Sequence, residues 1–377
     1  TQLGKLPLPL NWPNVSLYRQ LVELAREADN LAAKQESPSV ADVIERGLTE
    51  KVSISALWNE VLAMRMVCRS RLIVIQEEID FLSYIIYGLT DDTQLLGPTS
   101  SVEMAIHPGE RPFCIASQKN VDGFEVPIGI PTHWPETMQS LWLRRIKAIK
   151  ENANLRIIEE PHYKRRWIGR QGLFNHDARV DEFKAAVREW LLARLESPKY
   201  WPRLDGAEAT PLLMSSSKLA DTAASDADFM QVAALYAGYA DFDPHQLVAD
   251  LVAAESVPFL PVLRYSDTGL RKRAQWEDTW TLQRQEDEGQ NFGRIPAPPK
   301  YQSKDFVKAD FWRLRGGLDV PKERWISYPG CERGADTSLP IAWAGWDHLQ
   351  QATALAAYYL EMKENEGWEA ARLQPLL

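Results

Sequence analysis

The sequence predicts a mainly α-helical protein with irregular and minor β segments, in which an N-terminal long-helix arm precedes a helical globular domain. Two observations carry this reading. Apolar residues recur at helical spacing without interruption from Ile54 to Tyr87. Beyond that stretch, shorter helical patterns alternate with Gly- and Pro-rich segments that hold only short β-type runs. Hydrophobic residues make up 45% and charged residues 25% of the 377 positions, an ordinary globular composition. That length suits two or three compact units rather than a single core.

Taken in order, residues 1–15 hold prolines with little apolar rhythm and read as an extended lead-in. Ser16 can cap a helix to about Lys34 with Leu17, Leu21, Leu24, Ala28 and Leu31 on one face, and Ser37-Pro38 opens a shorter helix ending near Gly47. In the long helix the apolar set is Leu57, Val61, Met64, Cys68, Leu72, Ile75, Ile79, Leu82 and Ile86, with Gly88 as its stop. Its mean spacing is close to the 3.6 residues of a straight helix, and its length would be roughly 50 Å. Such a helix needs a partner, and the helix at 16–34 is the nearest one, giving an antiparallel arm over 1–97. Residues 98–377 then form a C-terminal accessory domain that could divide again near 205–215. Within it, 98–135 reads as a connection with two strands, one at Phe113-Cys114-Ile115-Ala116. Helices are expected at 136–151, 177–196, 217–236, 245–254, 270–288 and 346–365. The stretch 292–340 is irregular but rich in rings (Tyr301, Phe306, Phe311, Trp312, Trp325, Tyr328), so it should be packed.

Bulk properties exclude several classes. A net charge of -9 argues against a nucleic-acid coat protein, although positive charge gathered on one face could still bind DNA. Three well-separated cysteines, Cys68, Cys114 and Cys331, read as reduced thiols. No run approaches the roughly 20 apolar residues of a membrane span, and no signal-peptide pattern opens the chain, so the expected location is cytoplasmic and no membrane partner is expected. Thr1 at one end and a helical pattern at Leu377 read as a piece of a longer protein.

No phosphate loop, nucleophile elbow, His-Glu-x-x-His or Cys-x-x-Cys pair occurs. His162, His176 and His348 lack a second ligand at metal spacing. Asp347 with Glu361 and Lys363 could be forced into a nuclease set, but Glu361 and Lys363 fall on a helical run and read as a solvated face. The better signals are basic clusters interleaved with aromatics, since cations match phosphates and rings cover sugars and bases. The first is Lys164, Arg165, Arg166 and Arg170 around Tyr163 and Trp167. The second is Arg271, Lys272 and Arg273 with Arg264, Trp276 and Trp280; the third is Arg313 and Arg315 with Trp312, Lys322 and Arg324. Intramolecular ion pairs are the competing reading, because Glu277, Asp278, Glu286, Asp287 and Glu288 follow the second cluster.

Several blocks resemble one family. They include Ile130-Pro131-Thr132-His133-Trp134-Pro135-Glu136, the run from Glu160 to Trp167, and Gly269-Leu270-Arg271-Lys272-Arg273-Ala274-Gln275-Trp276-Glu277. They continue with Pro298-Pro299-Lys300-Tyr301, Phe311-Trp312-Arg313-Leu314-Arg315-Gly316, the run from Leu318 to Arg324, and Trp343-Ala344-Gly345-Trp346-Asp347-His348. The chain is similar here to the C-terminal region of PglX-type adenine-specific DNA methyltransferases of type 2 BREX (phage growth limitation) defence systems. Tyr87-Gly88-Leu89 after a long helix also resembles the close of target-recognition regions in single-chain restriction-modification enzymes. The resemblance implies an upstream domain with an S-adenosylmethionine loop and an Asn-Pro-Pro-Tyr type motif. Neither occurs in this chain, so no catalytic residue, cofactor ligand or metal ligand is assigned, and S-adenosylmethionine is expected only for the full-length parent. Two roles stand open: a non-catalytic region engaging double-stranded DNA, or a module docking other defence-system proteins or a phage protein.

Overall fold

The computed structural model describes residues 15–97, 106–118, 125–164, 176–201, 211–315 and 322–377. It is mainly helical with one small mixed sheet of four strands. The chain forms two compact units, 1–187 and 188–377.

The first unit is organised by one long helix. Helix α1 (Val15–Glu36) and helix α2 (Val40–Glu50) precede α3 (Ile54–Ile86). Ser39 starts α2 through a reciprocal capping box with Asp42, and Ser53 starts α3 by accepting from the Ala56 amide. Gly88 ends α3 at φ 68°, a left-handed turn that lets the Leu89 amide reach back to the Tyr84 carbonyl. Helix α1 runs antiparallel along α3: Leu24, Ile75 and Leu82 are buried together, with Leu17, Leu21, Ala28 and Leu31 alongside, and Glu27 accepts from Arg71 at 2.9 Å. The expected antiparallel pairing of α1 with α3 is therefore present, and α3 is covered on its other faces as well. From 69 to 86 none of its residues is exposed.

The other faces of α3 are covered by α4 (Pro112–Ser117), α5 (Glu136–Glu151), α6 (Ala153–Ile158) and α7 (Pro161–Lys164). Trp142, Trp134, Met138 and Leu141 meet Ile73 and Val74, while Phe113, Cys114, Ile149 and Leu155 meet Phe81 and Tyr84. The strand expected at Phe113–Ala116 is helix α4. Pro112 at its first position presets helical φ, and Gln118 closes it in a left-handed conformation at φ 50°. Helix α8 (His176–Leu195) spans the boundary between the units, and in the first of them its Phe183 stacks on Trp58 at 5.0 Å.

The second unit holds all the strands found among the described residues. Strand β1 (Met214–Ser215) leads into α9 (Ser216–Ala224), then α10 (Ala227–Ala237) and α11 (Pro244–Glu255). Strand β2 (Ser256–Pro258), α12 (Pro261–Arg264), α13 (Asp267–Asp287) and α14 (Ala309–Arg315) follow, then β3 (Trp325–Ser327), β4 (Pro340–Trp343), α15 (His348–Glu364) and α16 (Ala370–Leu373). The strand order is β1-β4-β3-β2, with β2 parallel to β3 and the other pairs antiparallel. Strands of two to four residues are too short to show alternation, so no sequence period announces them.

The irregular stretch is packed as expected. Tyr265, Tyr301, Phe306 and Trp312 form a chain of ring contacts with centroids 5.0 to 5.6 Å apart. Asp347 is the N-cap of α15, and Glu361 pairs with Arg333 at 2.7 Å, so both acids of the forced nuclease set have structural partners.

Asp226 caps α10 and also gathers Arg194 (2.9 Å), Lys199 (2.6 Å) and Tyr200 (2.5 Å). Burial alone would raise its carboxyl; the three donors outweigh it and hold the group well below the ordinary 3.8. A depressed carboxyl stabilises the fold fully above its unfolded value and loses that contribution as pH falls below it. Asp226→Asn should therefore melt lower than the unsubstituted chain at neutral pH, and the gap should narrow on acidification to about pH 3. Thermal melts across pH check this.

Candidate nucleic-acid interface

The first basic cluster begins inside the protein. Helix α3 places Glu77, Glu78, Asp80 and Tyr84 on its covered side. The three carboxylates there require cations, because an unpaired buried charge is strongly unfavourable. Arg145 on α5 bonds Glu78, donates to the Leu95 carbonyl at 2.9 Å, and lies over the Phe81 ring at 4.5 Å and the Trp142 ring at 5.2 Å. The second Glu78 oxygen accepts from the Gly97 amide at 3.1 Å. Arg111, just before α4, bonds Glu77.

Lys164 completes the set at the end of α7. Its ammonium contacts Asp80 at 2.6 Å and Glu159 at 2.7 Å, and its side chain is only 8% exposed. Burial would lower its pKa, but Glu159, Asp80 and Glu77 reverse that and raise it. Burial pushes the Glu159 carboxyl up against the pull of Lys164, and the Tyr84 hydroxyl donates to it. Among the described residues the carboxyls of Glu77, Asp80 and Glu159 face the cations Arg111 and Lys164. Cys114 lies beside this group, and burial pushes its thiol up to about 12. The structure thus places Lys164 in a buried ion network rather than on a surface; Arg165, Arg166 and Arg170 lie outside the described residues.

The second cluster sits on the first turns of α13. Ser266 caps the helix through the Gly269 amide, and Gly269 approaches Asp305 so closely that an added Cβ would collide with its carbonyl oxygen. Lys272 contacts Asp305 at 2.5 Å and the Lys300 carbonyl at 3.0 Å. Burial tends to raise the Asp305 carboxyl, but Lys272, the Gln302 amide and Thr268 hold it below the usual range. Arg273 pairs with Glu277 at 2.7 Å. Arg271 is exposed and has no ion pair among the described residues. Arg264, expected beside them, is buried and donates to the Pro258 carbonyl. Lys300 and Lys304 are exposed, and their carbonyls accept from Lys272 and Ser266. Sequence distance hides these two lysines, since 28 residues separate Lys272 from Lys300.

The third cluster is largely neutralised. Arg313 reaches the Ala254 carbonyl at 2.6 Å and Glu255 at 3.4 Å, with its side chain still 51% exposed. Arg315 lies 3.6 Å from Glu323. Arg324 pairs with Glu189 and Glu196, while Lys322 is exposed.

Residues 72–377 match the family described as a domain of unknown function, DUF7008, and the chain belongs to that family. It is also similar to the adenine-specific methyltransferase PglX of Streptomyces coelicolor (strain ATCC BAA-471 / A3(2) / M145), with 36% identity over 382 residues and 95% of this chain covered. The chain spans 29% of that protein's length. The resemblance to PglX-type methyltransferases seen in the sequence blocks is thus shown. No solved structure matches the chain.

Strand β1 passes straight into α9 through Ser215 and Ser216, and β2 is followed by Phe259-Leu260-Pro261; neither of these two turns contains the glycines of a nucleotide-type loop. Among the described residues no group of three His, Cys, Asp or Glu is placed to hold a metal ion, and no helix is long and apolar enough to cross a membrane.

All three thiols are buried, and Cys114 and Cys331 are pushed up by burial. The native protein should therefore resist a thiol-specific reagent at mildly alkaline pH, and the full count of three should titrate only after unfolding. Lys164→Met should destabilise the chain by about 3–5 kcal/mol, since it removes the ammonium that contacts both Asp80 and the buried Glu159; denaturant titration measures this.

Proposed function

We propose that this chain is a non-catalytic, DNA-engaging part of an adenine-specific DNA methyltransferase acting in bacterial phage defence of the BREX type, in the cytoplasm. The observation that carries the reading is the surface around the start of α13, where Arg271, Lys300 and Lys304 are exposed around the Lys272–Asp305 contact, in a chain 36% identical to a protein named for that activity. These cations would meet duplex phosphates and position the substrate rather than read its sequence. Methyl transfer from S-adenosylmethionine to adenine N6 belongs, on this reading, to parts of the parent outside this chain. Arg313 and Lys322 are secondary contacts, and Lys164 acts from within by fixing the chain at the point where Arg165 and Arg166 follow it in sequence.

A second reading, a module that docks another defence-system or phage protein, is favoured by one specific observation. Lys272, Arg273, Arg313, Arg315 and Arg324 each sit within ion-pair distance of a carboxylate, which leaves little free positive charge on a chain of net charge -9.

Binding measurements separate the two. Duplex DNA should bind the chain at low salt, with affinity falling steeply as salt rises. Reversing Arg271, Lys300 and Lys304 to Glu should weaken binding across all sequences and reduce the salt slope by about one for each phosphate no longer neutralised. No duplex binding at low salt, or binding indifferent to these reversals, would refute the assignment.

A further inference from the structure

Helix α13 is poorly used by its own unit: of its 21 residues only Gly269 is buried. One side is strapped down, because Lys272, Trp276 and Thr279 donate to the carbonyls of Lys300, Pro299 and Pro296. The neighbouring face carries Arg273, Glu277, Trp280, Arg284 and Asp287 at spacings of three and four residues, which align on one side of a helix. Trp280 is 55% exposed in the centre of this row, and Glu277, Arg284 and Asp287 are exposed around it.

The row reads positive, negative, tryptophan, positive, negative. Read backwards it has every sign inverted. Two such faces laid antiparallel about a twofold axis bring Arg273 of one copy against Asp287 of the other, Glu277 against Arg284, and Trp280 against Trp280. A parallel arrangement would instead oppose like charges. Nucleic acid is a poor occupant here, since Glu277 and Asp287 would repel phosphates. We infer that this face of α13 is a self-complementary docking surface for a second copy of the chain, an isologous contact of the kind a twofold dimer requires. The present local pairs, Arg273 with Glu277 at 2.7 Å and Gln283 with Asp287 at 3.0 Å, are exposed and weak enough to exchange. One helix pair buries less surface than a permanent interface, so dimerisation should depend on concentration.

Sedimentation equilibrium of the 377-residue chain across a concentration series tests this. The mass should rise from 42.9 kDa toward twice that value. Trp280→Ala should weaken dimerisation by at least about tenfold, as should Arg273→Glu with Arg284→Glu, or Glu277→Lys with Asp287→Lys. Mixing the last two variants should restore the dimer, since every facing pair is then opposite in sign; restoration also shows that both are folded. A mass fixed at 42.9 kDa at all concentrations, dimers that ignore these substitutions, or a mixture that stays monomeric would overturn the proposal.

Discussion

The burial of charge along α3 is the constraint on which the first unit depends. A helix that places Glu77 and Glu78 where water is excluded, with the half-buried Asp80 beside them, can fold only if cations arrive with it. They come from three separate places: Arg111 before α4, Arg145 on α5 and Lys164 closing α7. Each is a long side chain whose stem also packs on rings, as with Arg145 over Phe81 and Trp142. The same bonds therefore choose which segments surround the helix and in what register. Apolar contacts from Ile73, Phe81 and Trp142 supply most of the driving force, but any apolar helix could make those; the charges make the arrangement specific.

The second unit solves a different problem. Its strands are short, and the irregular chain between α13 and β3 contributes rings rather than regular elements. Asp305 anchors that chain by accepting from Lys272, Thr268 and the Gln302 amide, and Gly269 permits the close approach. The contact that holds α13 in place thus consumes one of the cations expected for DNA, and leaves Arg271 outward.

Legibility in the sequence depends on length and pattern. The long periodic stretch from Ile54, the α1 face from Leu17 to Leu31, and α5 from Glu136 to Glu151 are all present, because a repeated 3.6-residue rhythm survives any tertiary context. The packed character of 292–340 is legible from its rings. Helix α4 is hidden because Phe113-Cys114-Ile115-Ala116 has strand-like composition, and only its position against α3 and α5 decides the outcome. The expected helix over 217–236 is two, broken where Asp226 caps α10. The second face of α3 escapes a sequence reading for a deeper reason: Glu77, Glu78 and Asp80 look like solvated residues until their partners, 34 to 84 residues away, are known. The same distance makes Lys164 look like one of a surface run.

If charge burial organises the first unit, its buried pairs must be strongly coupled, and a double-mutant cycle at Glu78 and Arg145 measures this directly. Glu78→Gln, Arg145→Met and the double variant are compared by denaturant unfolding. A coupling energy of about 1–3 kcal/mol, with the double variant less destabilised than the two single losses added together, is the predicted result. Additive losses, with coupling below about 0.5 kcal/mol, would contradict the claim that charge burial along α3 organises this unit.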